Sequence, residues 1–365
     1  MKRQALDKIP PELLSPADYS GLSREFIDHS VYEYIAGGAG NELTASRNRQ
    51  AFDRLVLCNR VLMDFSQAST GLTLLGQSFQ HPILLAPVAH QKLVHPQGEK
   101  ATVAAASAVD AGFVASTLSS FSLEDIAATG DGSLWFQLYY QRSREQTLAL
   151  VRRAENAGYS ALVVTVDVPV NALRHRAQRA GFRMPADLCE ANLVNGTSLP
   201  PRILAPGQSV VFDGLMADAP SWGDIRWLQQ NTDLPLLIKG IINPRDALAA
   251  ANMGVAGVIV SNHGGRSLDG LPASITALPA VRKAVGPNFP LLLDSGIRSG
   301  SDVFKALACG ANAVLVGQLQ VHALAVAGAL GVAHMLRLMK EELEVTMALA
   351  GCPTLGDINA DCLFT

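Results

Sequence analysis

Short apolar runs rich in valine, leucine and isoleucine alternate with alanine-rich segments along most of the chain. Eight such runs lie at about 83–88, 112–116, 134–138, 161–166, 234–239, 256–261, 290–294 and 313–317. Segments of helical character separate most of them, for example 98–111, 144–157, 244–253, 300–309 and 323–347. This alternation predicts right-handed βαβ units and a parallel sheet. Eight consecutive strands favour a closed (β/α)8 TIM barrel, an α/β fold, over an open sheet.

The residues before the first run predict an N-terminal helical extension, residues 1–80. One helix is expected to begin at 17–19 and another to span 26–35. The glycine cluster at 37–40 follows a helix rather than a strand, so we interpret it as a helix stop and turn instead of a dinucleotide-binding loop. The extension is too irregular for a separate domain. We therefore predict one domain over residues 1–365, with the barrel at 81–350.

The connection between the fourth and fifth predicted strands is much longer than the others. It covers about 167–233 and contains several prolines together with glycine and asparagine. Long ordered loops in compact domains are commonly functional, and a barrel binds its ligands at the C-terminal ends of its strands. We therefore predict a lid over the site, formed by residues 183–222.

Composition excludes several classes of function. The net charge of −3 and the pI near 6.2 argue against nucleic acid as a partner. The N-terminus lacks the apolar core of a signal peptide, and no stretch was expected to be long and apolar enough to span a bilayer. The five cysteines are scattered without metal-ligand spacing. These features predict a cytoplasmic protein without a metal site.

Polar and ionisable residues follow nearly every predicted strand, as expected for a site at the C-terminal end of a barrel. The most informative stretch is 256–270, in which an apolar run ends in Ser-Asn-His-Gly-Gly-Arg. His263 can exchange a proton near neutral pH, and the guanidinium of Arg266 can hold a carboxylate at two points. Together they predict a site that binds a carboxylic acid and removes a proton beside it.

Other strand ends supply further candidates. Asp167 could orient His263 and stabilise its charged form, and Arg174 is a candidate second carboxylate anchor. Arg298 follows the seventh strand in a small-residue turn before a helix, where barrels bind phosphate. Lys239 at the end of the fifth strand is compatible with a Schiff base, with phosphate binding, or with stabilisation of negative charge on a cofactor.

The chain resembles the FMN-dependent L-2-hydroxy acid oxidases and dehydrogenases nearly from end to end. This family includes glycolate oxidase, lactate oxidase, flavin lactate dehydrogenase and mandelate dehydrogenase. The most specific matching motifs are Ala86-Pro87-Val88-Ala89, Phe136-Gln137-Leu138-Tyr139, Thr165-Val166-Asp167, Ile238-Lys239-Gly240 and Ser261-Asn262-His263-Gly264-Gly265-Arg266. Their order and spacing make chance agreement implausible.

The resemblance implies oxidation of an L-2-hydroxy acid to the 2-keto acid. His263 would receive the proton with support from Asp167, Tyr139 would contact the 2-hydroxyl, and the substrate carboxylate would be bound by Tyr34, Arg174 and Arg266. Lys239 would stabilise the reduced flavin. The other implied FMN-binding residues are Pro87, Val88, Ala89, Ser116, Gln137, Thr165, Ser261, Asp294, Ser295, Gly296, Ile297, Arg298, Gly317 and Gln318. The resemblance also suggests a homotetramer.

Four positions depart from common family patterns. Gln318 stands where relatives commonly have an arginine, so we expect weaker FMN binding. Ser295 replaces a common glycine. Leu118 stands where glycolate oxidase carries a tryptophan, with Asn171 at a neighbouring pocket position that is often apolar. The extra space favours lactate or a bulkier acid such as mandelate over glycolate.

The sequence is compatible with oxygen and with a quinone or cytochrome as electron acceptor, and with loss of the α-hydrogen as hydride or as proton. Two other functions fit parts of the pattern. One is a Schiff-base aldolase that uses Lys239, and the other is a flavin-binding barrel with little turnover.

Overall fold

Eight parallel strands form a closed barrel in the computed structural model, which describes residues 3–193 and 202–364. Three short strands precede the barrel and one follows it, so the barrel strands are β4 to β11. They are β4 (Ile83–Leu85), β5 (Gly112–Ser116), β6 (Leu134–Leu138), β7 (Ala161–Thr165), β8 (Leu236–Ile241), β9 (Gly257–Val260), β10 (Leu291–Leu293) and β11 (Ala313–Val316). Pairing of β11 with β4 closes the ring. The predicted (β/α)8 barrel is thus confirmed.

Strand β4 ends three residues earlier than the apolar run that predicted it. The run was expected to form a strand to residue 88, but the strand ends at Leu85. Pro87 has no backbone N–H to donate to a neighbouring strand, which accounts for the early end. Residues 86–90 consequently form a loop that is free to line a ligand site.

The extension contains three helices and three short strands. They are α1 (Asp18–Leu22), α2 (His29–Ala36), α3 (Leu43–Arg54), β1 (Val56–Leu57), β2 (Leu72–Leu74) and β3 (Gln77–Phe79). Helix α2 begins three residues later than predicted, because Ser23–Glu25 forms a separate 3-10 helix that has Phe26 as its C-cap. The glycine cluster ends α2 and forms a turn, as predicted. Strand β1 pairs with the C-terminal strand β12 (Leu363–Phe364).

The β2–β3 hairpin closes the barrel at the N-terminal ends of its strands. Its buried residues Leu74 and Phe79 belong to the cluster that fills the barrel interior. The Phe79 ring lies against Gly112, the first residue of β5, and meets Trp135 edge to face at 6.3 Å. Because this end is filled with side chains, a ligand can enter only from the opposite end.

The helices surround the barrel. The remaining ones are α4 (Gly98–Ala108), α5 (Leu123–Ala127), α6 (Arg144–Asn156), α7 (His175–Arg179), α8 (Trp222–Gln229), α9 (Pro244–Met253), α10 (Ser274–Val285), α11 (Gly300–Ala308) and α12 (Gln318–Ala350). Helix α12 begins at residue 318 rather than 323. The first turn was missed because it contains the polar residues Gln320 and His322, which are nevertheless buried.

Helix α12 is long and apolar enough to cross a membrane by length and composition, which the sequence analysis did not expect of any segment. However, 78% of its most apolar 18-residue window is buried inside the protein. Non-helical backbone at Ala327 and Gly328 also divides it into two parts. Packing in the core therefore accounts for its hydropathy.

The predicted lid, residues 183–222, follows α7. Its described part has little regular structure: a π-helical turn at Val210–Leu215 and a 3-10 helix at Met216–Asp218. Residues 194–201 of the predicted lid lie outside the described residues. Asp218 anchors the segment by pairing with Arg142 at 2.8 Å and with Arg202 at 2.6 Å.

Candidate active site

A cavity of about 960 Å³ opens at the C-terminal ends of the barrel strands. The predicted site residues that line it are Tyr34, Pro87, Val88, Ala89, Ser116, Tyr139, Arg174, Lys239, His263, Arg266, Asp294, Ser295, Gly296, Ile297, Arg298, Gly317 and Gln318. Four others lie behind this lining. Three of them hydrogen-bond to lining residues, Asp167 to His263, Gln137 to Ser116 and Ser261 to Lys239, and Thr165 is linked to the lining through Gln137. The structure therefore brings all the predicted site residues together.

His263 lies in a tight turn directly after β9. Its backbone is left-handed, with φ of 58°, and the Asn262 side chain stabilises the turn by accepting the N–H of Gly265 at 3.0 Å. The Nδ1 of His263 pairs with the Asp167 carboxylate at 3.0 Å. This leaves Nε2 as the nitrogen available to a ligand.

Burial and electrostatics set the protonation of this pair. Burial and the nearby Lys239 ammonium lower the pKa of His263, and the Asp167 carboxylate offsets this only in part. Burial would raise the pKa of Asp167, but His263 and Lys239 hold it below its usual value. At neutral pH the site therefore contains a neutral imidazole beside a carboxylate, which is the state required of a base.

Gly240 makes the approach of Asp167 possible. Its φ is 107°, and a Cβ at this position would lie 2.5 Å from the Cβ of Asp167. Any other residue would therefore displace the carboxylate from His263.

Two partly buried arginines, Arg174 and Arg266, face the same cavity. Arg266 uses its Nη1 to donate to three carbonyl oxygens at the C-terminal end of α2, those of Tyr34, Ile35 and Gly37, at 2.8 to 2.9 Å. Burial and the neighbouring Arg174 lower the pKa of Arg266 to about 10. The buried Nη1 of Arg174 has no hydrogen-bond partner among the residues that the structure describes.

Tyr34 lies between these cations. Both guanidinium carbons are 5.2 Å from the centre of its ring, within the range of cation–π attraction. Neither arginine has a carboxylate partner within residues 3–193 and 202–364. Two partly buried positive charges without a counter-ion in the described chain favour an anionic ligand, and a guanidinium matches a carboxylate in shape.

Lys239 is buried and makes an ion pair and a hydrogen bond within the barrel. Its Nζ lies 3.0 Å from the Asp294 carboxylate and 3.1 Å from the Ser261 hydroxyl. Burial lowers its pKa, but Asp294 and Asp167 more than offset this, so the pKa lies above the usual value. Lys239 is consequently a stable cation, suited to stabilising negative charge and unsuited to nucleophilic attack on a carbonyl.

A row of hydrogen bonds fixes the polar side chains on the β5–β7 side of the cavity. The Ser116 hydroxyl donates to the Gln137 carbonyl at 3.2 Å, and the Gln137 amide donates to the Thr165 hydroxyl at 2.9 Å. Burial raises the pKa of Tyr139. Its phenol therefore remains a hydrogen-bond donor across the working pH range.

The loop after β10 and the start of α12 form a second cationic part of the cavity. Arg298 donates to the carbonyl of Ile297 at 2.8 Å and to the Gln318 side chain. Burial and the charge of Arg49 lower its pKa to about 10. Because its guanidinium has no carboxylate partner in the described chain, this partly buried cation beside a helix N-terminus fits a phosphate group.

Residues of α3, which were not predicted from the sequence, shape this loop. Asn48 lines the cavity, and a Cβ on Gly296, whose φ is 92°, would lie 2.8 Å from its carbonyl oxygen. Arg49 binds Asp302 through two bonds of 2.6 and 2.9 Å and donates to the Gly296 carbonyl at 2.9 Å. The polar sequence of α3 resembles that of a solvent-facing helix, so it gave no signal of this role.

Residues of the predicted lid and of the loops after the strands complete the cavity around Arg174 and Arg266. They are Leu118, Val168, Asn171, Ala172, Phe182, Met184 and Glu190. Phe182 stacks on the Tyr34 ring at 4.1 Å between centroids. Leu118 and Asn171 were singled out from the sequence, whereas the lid residues carry no motif.

Comparison with known proteins leads to the same family that the sequence motifs resemble. The family model described as FMN-dependent dehydrogenase matches residues 23–365. An L-lactate oxidase of Alicycliphilus denitrificans is 53% identical over 98% of this chain and 98% of that protein. Glycolate oxidase 1 of Oryza sativa subsp. indica is 40% identical over 97% of this chain and 96% of that protein.

A solved structure also superposes on almost the whole chain. The crystal structure of mandelate oxidase with (S)-2-phenylpropionate has a TM-score of 0.87 and 40% sequence identity, and it covers 96% of this chain and 98% of that one. The chain belongs to the FMN-dependent dehydrogenase family, whose members that it resembles are FMN-dependent 2-hydroxy acid oxidases.

Proposed function

We propose that the protein oxidises L-lactate to pyruvate and that oxygen then reoxidises its FMN. This proposal depends on one observation: a neutral His263 shares a cavity with two partly buried arginines that have no counter-ion among the described residues. The 53% identity to an L-lactate oxidase supports the choice of acid and acceptor. Leu118 in the cavity lining leaves space for a substrate methyl group.

Each side chain at the site has a distinct proposed role in substrate binding or proton transfer. Arg266, Arg174 and the Tyr34 hydroxyl hold the substrate carboxylate, and Tyr139 donates a hydrogen bond to the 2-hydroxyl. His263 receives the hydroxyl proton at Nε2, and Asp167 stabilises the resulting imidazolium through Nδ1. FMN, when bound, would supply the acceptor for the α-hydrogen and the two electrons that leave with it.

The cofactor is held at two places. Arg298, the backbone of residues 295–298 and the start of α12 at Gln318 bind the phosphate. Lys239 stabilises negative charge on the reduced isoalloxazine ring. The remaining residues proposed to contact or support FMN are Pro87, Val88, Ala89, Ser116, Gln137, Thr165, Ser261, Asp294 and Gly317.

Anaerobic reduction of the purified flavoprotein tests the function. L-lactate is expected to bleach the flavin absorbance, and D-lactate is expected to leave it unchanged. The rates of bleaching by glycolate and by L-mandelate, each added separately, show which size of substrate side chain the site prefers. Admitting air should restore the absorbance with one hydrogen peroxide formed per pyruvate. If the flavin stays bleached in air and regains its absorbance when a quinone is added, the electron acceptor is a quinone and not oxygen.

The pH profile follows from the electrostatics of His263. Its lowered pKa keeps the imidazole neutral below the usual histidine value of about 6.5. The acid limb of log(kcat/KM) for L-lactate should therefore lie below about pH 6.5, because kcat/KM reports the free enzyme. A limb above pH 7 would contradict this assignment of the base.

Gln318 gives a prediction on cofactor affinity. Replacing it with arginine adds a charge-assisted contact to the phosphate, so the FMN dissociation constant should fall about tenfold. Fluorescence titration of the apoprotein measures this constant. The control is Arg54→Gln. Arg54 is exposed at the end of α3, so this substitution should leave the FMN dissociation constant unchanged.

The two alternative functions give different results in the same experiments. A Schiff-base aldolase would be trapped by borohydride on Lys239, but the ion pair with Asp294 keeps that lysine protonated. A flavin-binding barrel with little turnover would be yellow and would resist bleaching by every L-2-hydroxy acid.

The assembly and location also belong to this proposal. We infer a homotetramer in the cytoplasm. The exposed apolar side chains of Ile203, Val210 and Phe212 in the lid support association, because a neighbouring copy would remove them from water. Light scattering of the holoenzyme measures the mass.

A further inference from the structure

An ion pair outside the cavity joins the two helices that carry the substrate anchors. Arg176 of α7 donates through Nε to the Glu33 carboxylate of α2, and its Nη1 lies 3.7 Å from Glu42. The Glu33 side chain is 16% exposed and that of Arg176 is 34% exposed, so the contact is largely shielded from water. The Arg176 side chain also lies over Gly37, at the end of α2.

Each partner of this pair is close in sequence to a proposed carboxylate anchor. Glu33 immediately precedes Tyr34 within α2. Arg176 follows Arg174 by two residues, and Arg174 occupies the N-cap position of α7 without a side-chain capping bond. A change in the distance between the two helices would therefore move Tyr34 relative to Arg174.

Helix α7 cannot hold this position by itself. It has five residues, and helices of this length are not stable without tertiary contacts. The residues flanking α7 also contact the extension, through a backbone bond of 2.9 Å from Gly40 to Leu173 and the stacking of Phe182 on Tyr34. On the helix itself, Arg176 makes the charged contacts, with Glu33 and more distantly with Glu42.

We propose that Glu33 and Arg176 are positioning residues that set the spacing of Tyr34 and Arg174 and thereby determine the affinity for the substrate carboxylate. This inference rests on the proposed function, because it assumes that Tyr34 and Arg174 bind that carboxylate. Neither positioning residue touches the substrate. The pair acts on ground-state and transition-state binding alike, since the carboxylate does not change during the reaction.

Kinetics of the holoenzyme test the proposal. Arg176→Gln should raise KM for L-lactate about tenfold and change kcat less than about twofold, because uniform binding is lost. Glu33→Gln should act in the same direction but less strongly, since Glu42 remains beside Arg176. Arg176→Lys, which keeps the charge, should recover part of the affinity.

A double-mutant cycle shows whether the two residues act as one unit. The Glu33→Gln/Arg176→Gln variant should have a KM close to that of Arg176→Gln alone. A KM equal to the product of the two separate effects would show that the residues act independently and would overturn the proposal. Glu124→Gln is a matched control, because Glu124 pairs with Arg153 through two bonds of 2.8 Å between α5 and α6. It should leave KM unchanged.

Inhibitor binding separates this inference from the proposed function. Oxalate, a non-reacting carboxylate, is titrated against the flavin absorbance, and its dissociation constant should rise about tenfold in Arg176→Gln. If no L-2-hydroxy acid reduces the wild type, the proposed function fails, and the oxalate constants alone decide the inference. Unchanged oxalate affinity in the variants, or a wild type that binds no oxalate, overturns it. A lower melting temperature with unchanged affinity would show a merely structural role.

Discussion

Replacing His263 with asparagine is expected to lower kcat for L-lactate by about 10³- to 10⁴-fold, while FMN remains bound. The imidazole supplies the proton acceptor, and asparagine has no basic group at neutral pH. Asparagine is similar in size and can still donate to Asp167, so the turn after β9 should persist. Steady-state kinetics with a flavin spectrum of each preparation measure both parts of the result.

An exposed histidine provides the control for this experiment. His29 begins α2 and is exposed to solvent, so His29→Asn should keep kcat within about twofold of the wild type. A His263→Asn enzyme that retains more than about a tenth of the wild-type kcat would show that another group accepts the proton. The assignment of the Asp167–His263 pair as the base would then be wrong.

Replacing Arg266 with methionine is expected to lower kcat/KM by about 10³-fold, because two charge-assisted bonds to the carboxylate are lost. The same change removes the donor shared by three carbonyls at the end of α2. Tyr34 lies at that end, so a second carboxylate contact is weakened as well. Stopped-flow reduction of the flavin at several L-lactate concentrations measures the loss.

Lysine at this position separates charge from geometry. Arg266→Lys keeps the positive charge but cannot present the planar fork of a guanidinium. It should therefore recover only part of the lost kcat/KM, with a value between those of Arg266→Met and the wild type. Full recovery would show that charge alone is required and that the contacts of Arg266 with α2 have no part in binding.

The sequence was most informative where a strand ends. His263, Asp167 and Lys239 each follow an apolar run, and in a parallel barrel all such residues face one end. Their convergence therefore followed from the chain order alone. The pairing of Asp167 with His263 was also expected from the sequence. The bond of Lys239 to Asp294 was not, because it depends on the stagger between strands, which the sequence does not specify.

Contacts between the extension and the barrel could not be predicted. Arg49 and Asp302 are separated by 253 positions, and neither belongs to a recognisable motif. Arg49 lies on α3, whose polar sequence is typical of a solvent-facing helix. In the structure, polar side chains of α3 instead hydrogen-bond to the loop after β10. The start of α12 was mispredicted for a similar reason. Gln320 looks like a surface residue in the sequence, but it is buried and donates to the Ala86 and Val316 carbonyls.

The cap that Arg266 places on α2 has a consequence for synthesis of the protein. The arginine is separated by 231 positions from Ile35, whose carbonyl it binds. Translation proceeds from the N-terminus at about 5–20 residues per second, so α2 leaves the ribosome well before its cap exists. The growing chain therefore carries an unfinished extension for at least about ten seconds. During that interval it is a natural target for chaperones, and a stalled ribosome upstream of codon 266 would release a chain that cannot bind substrate.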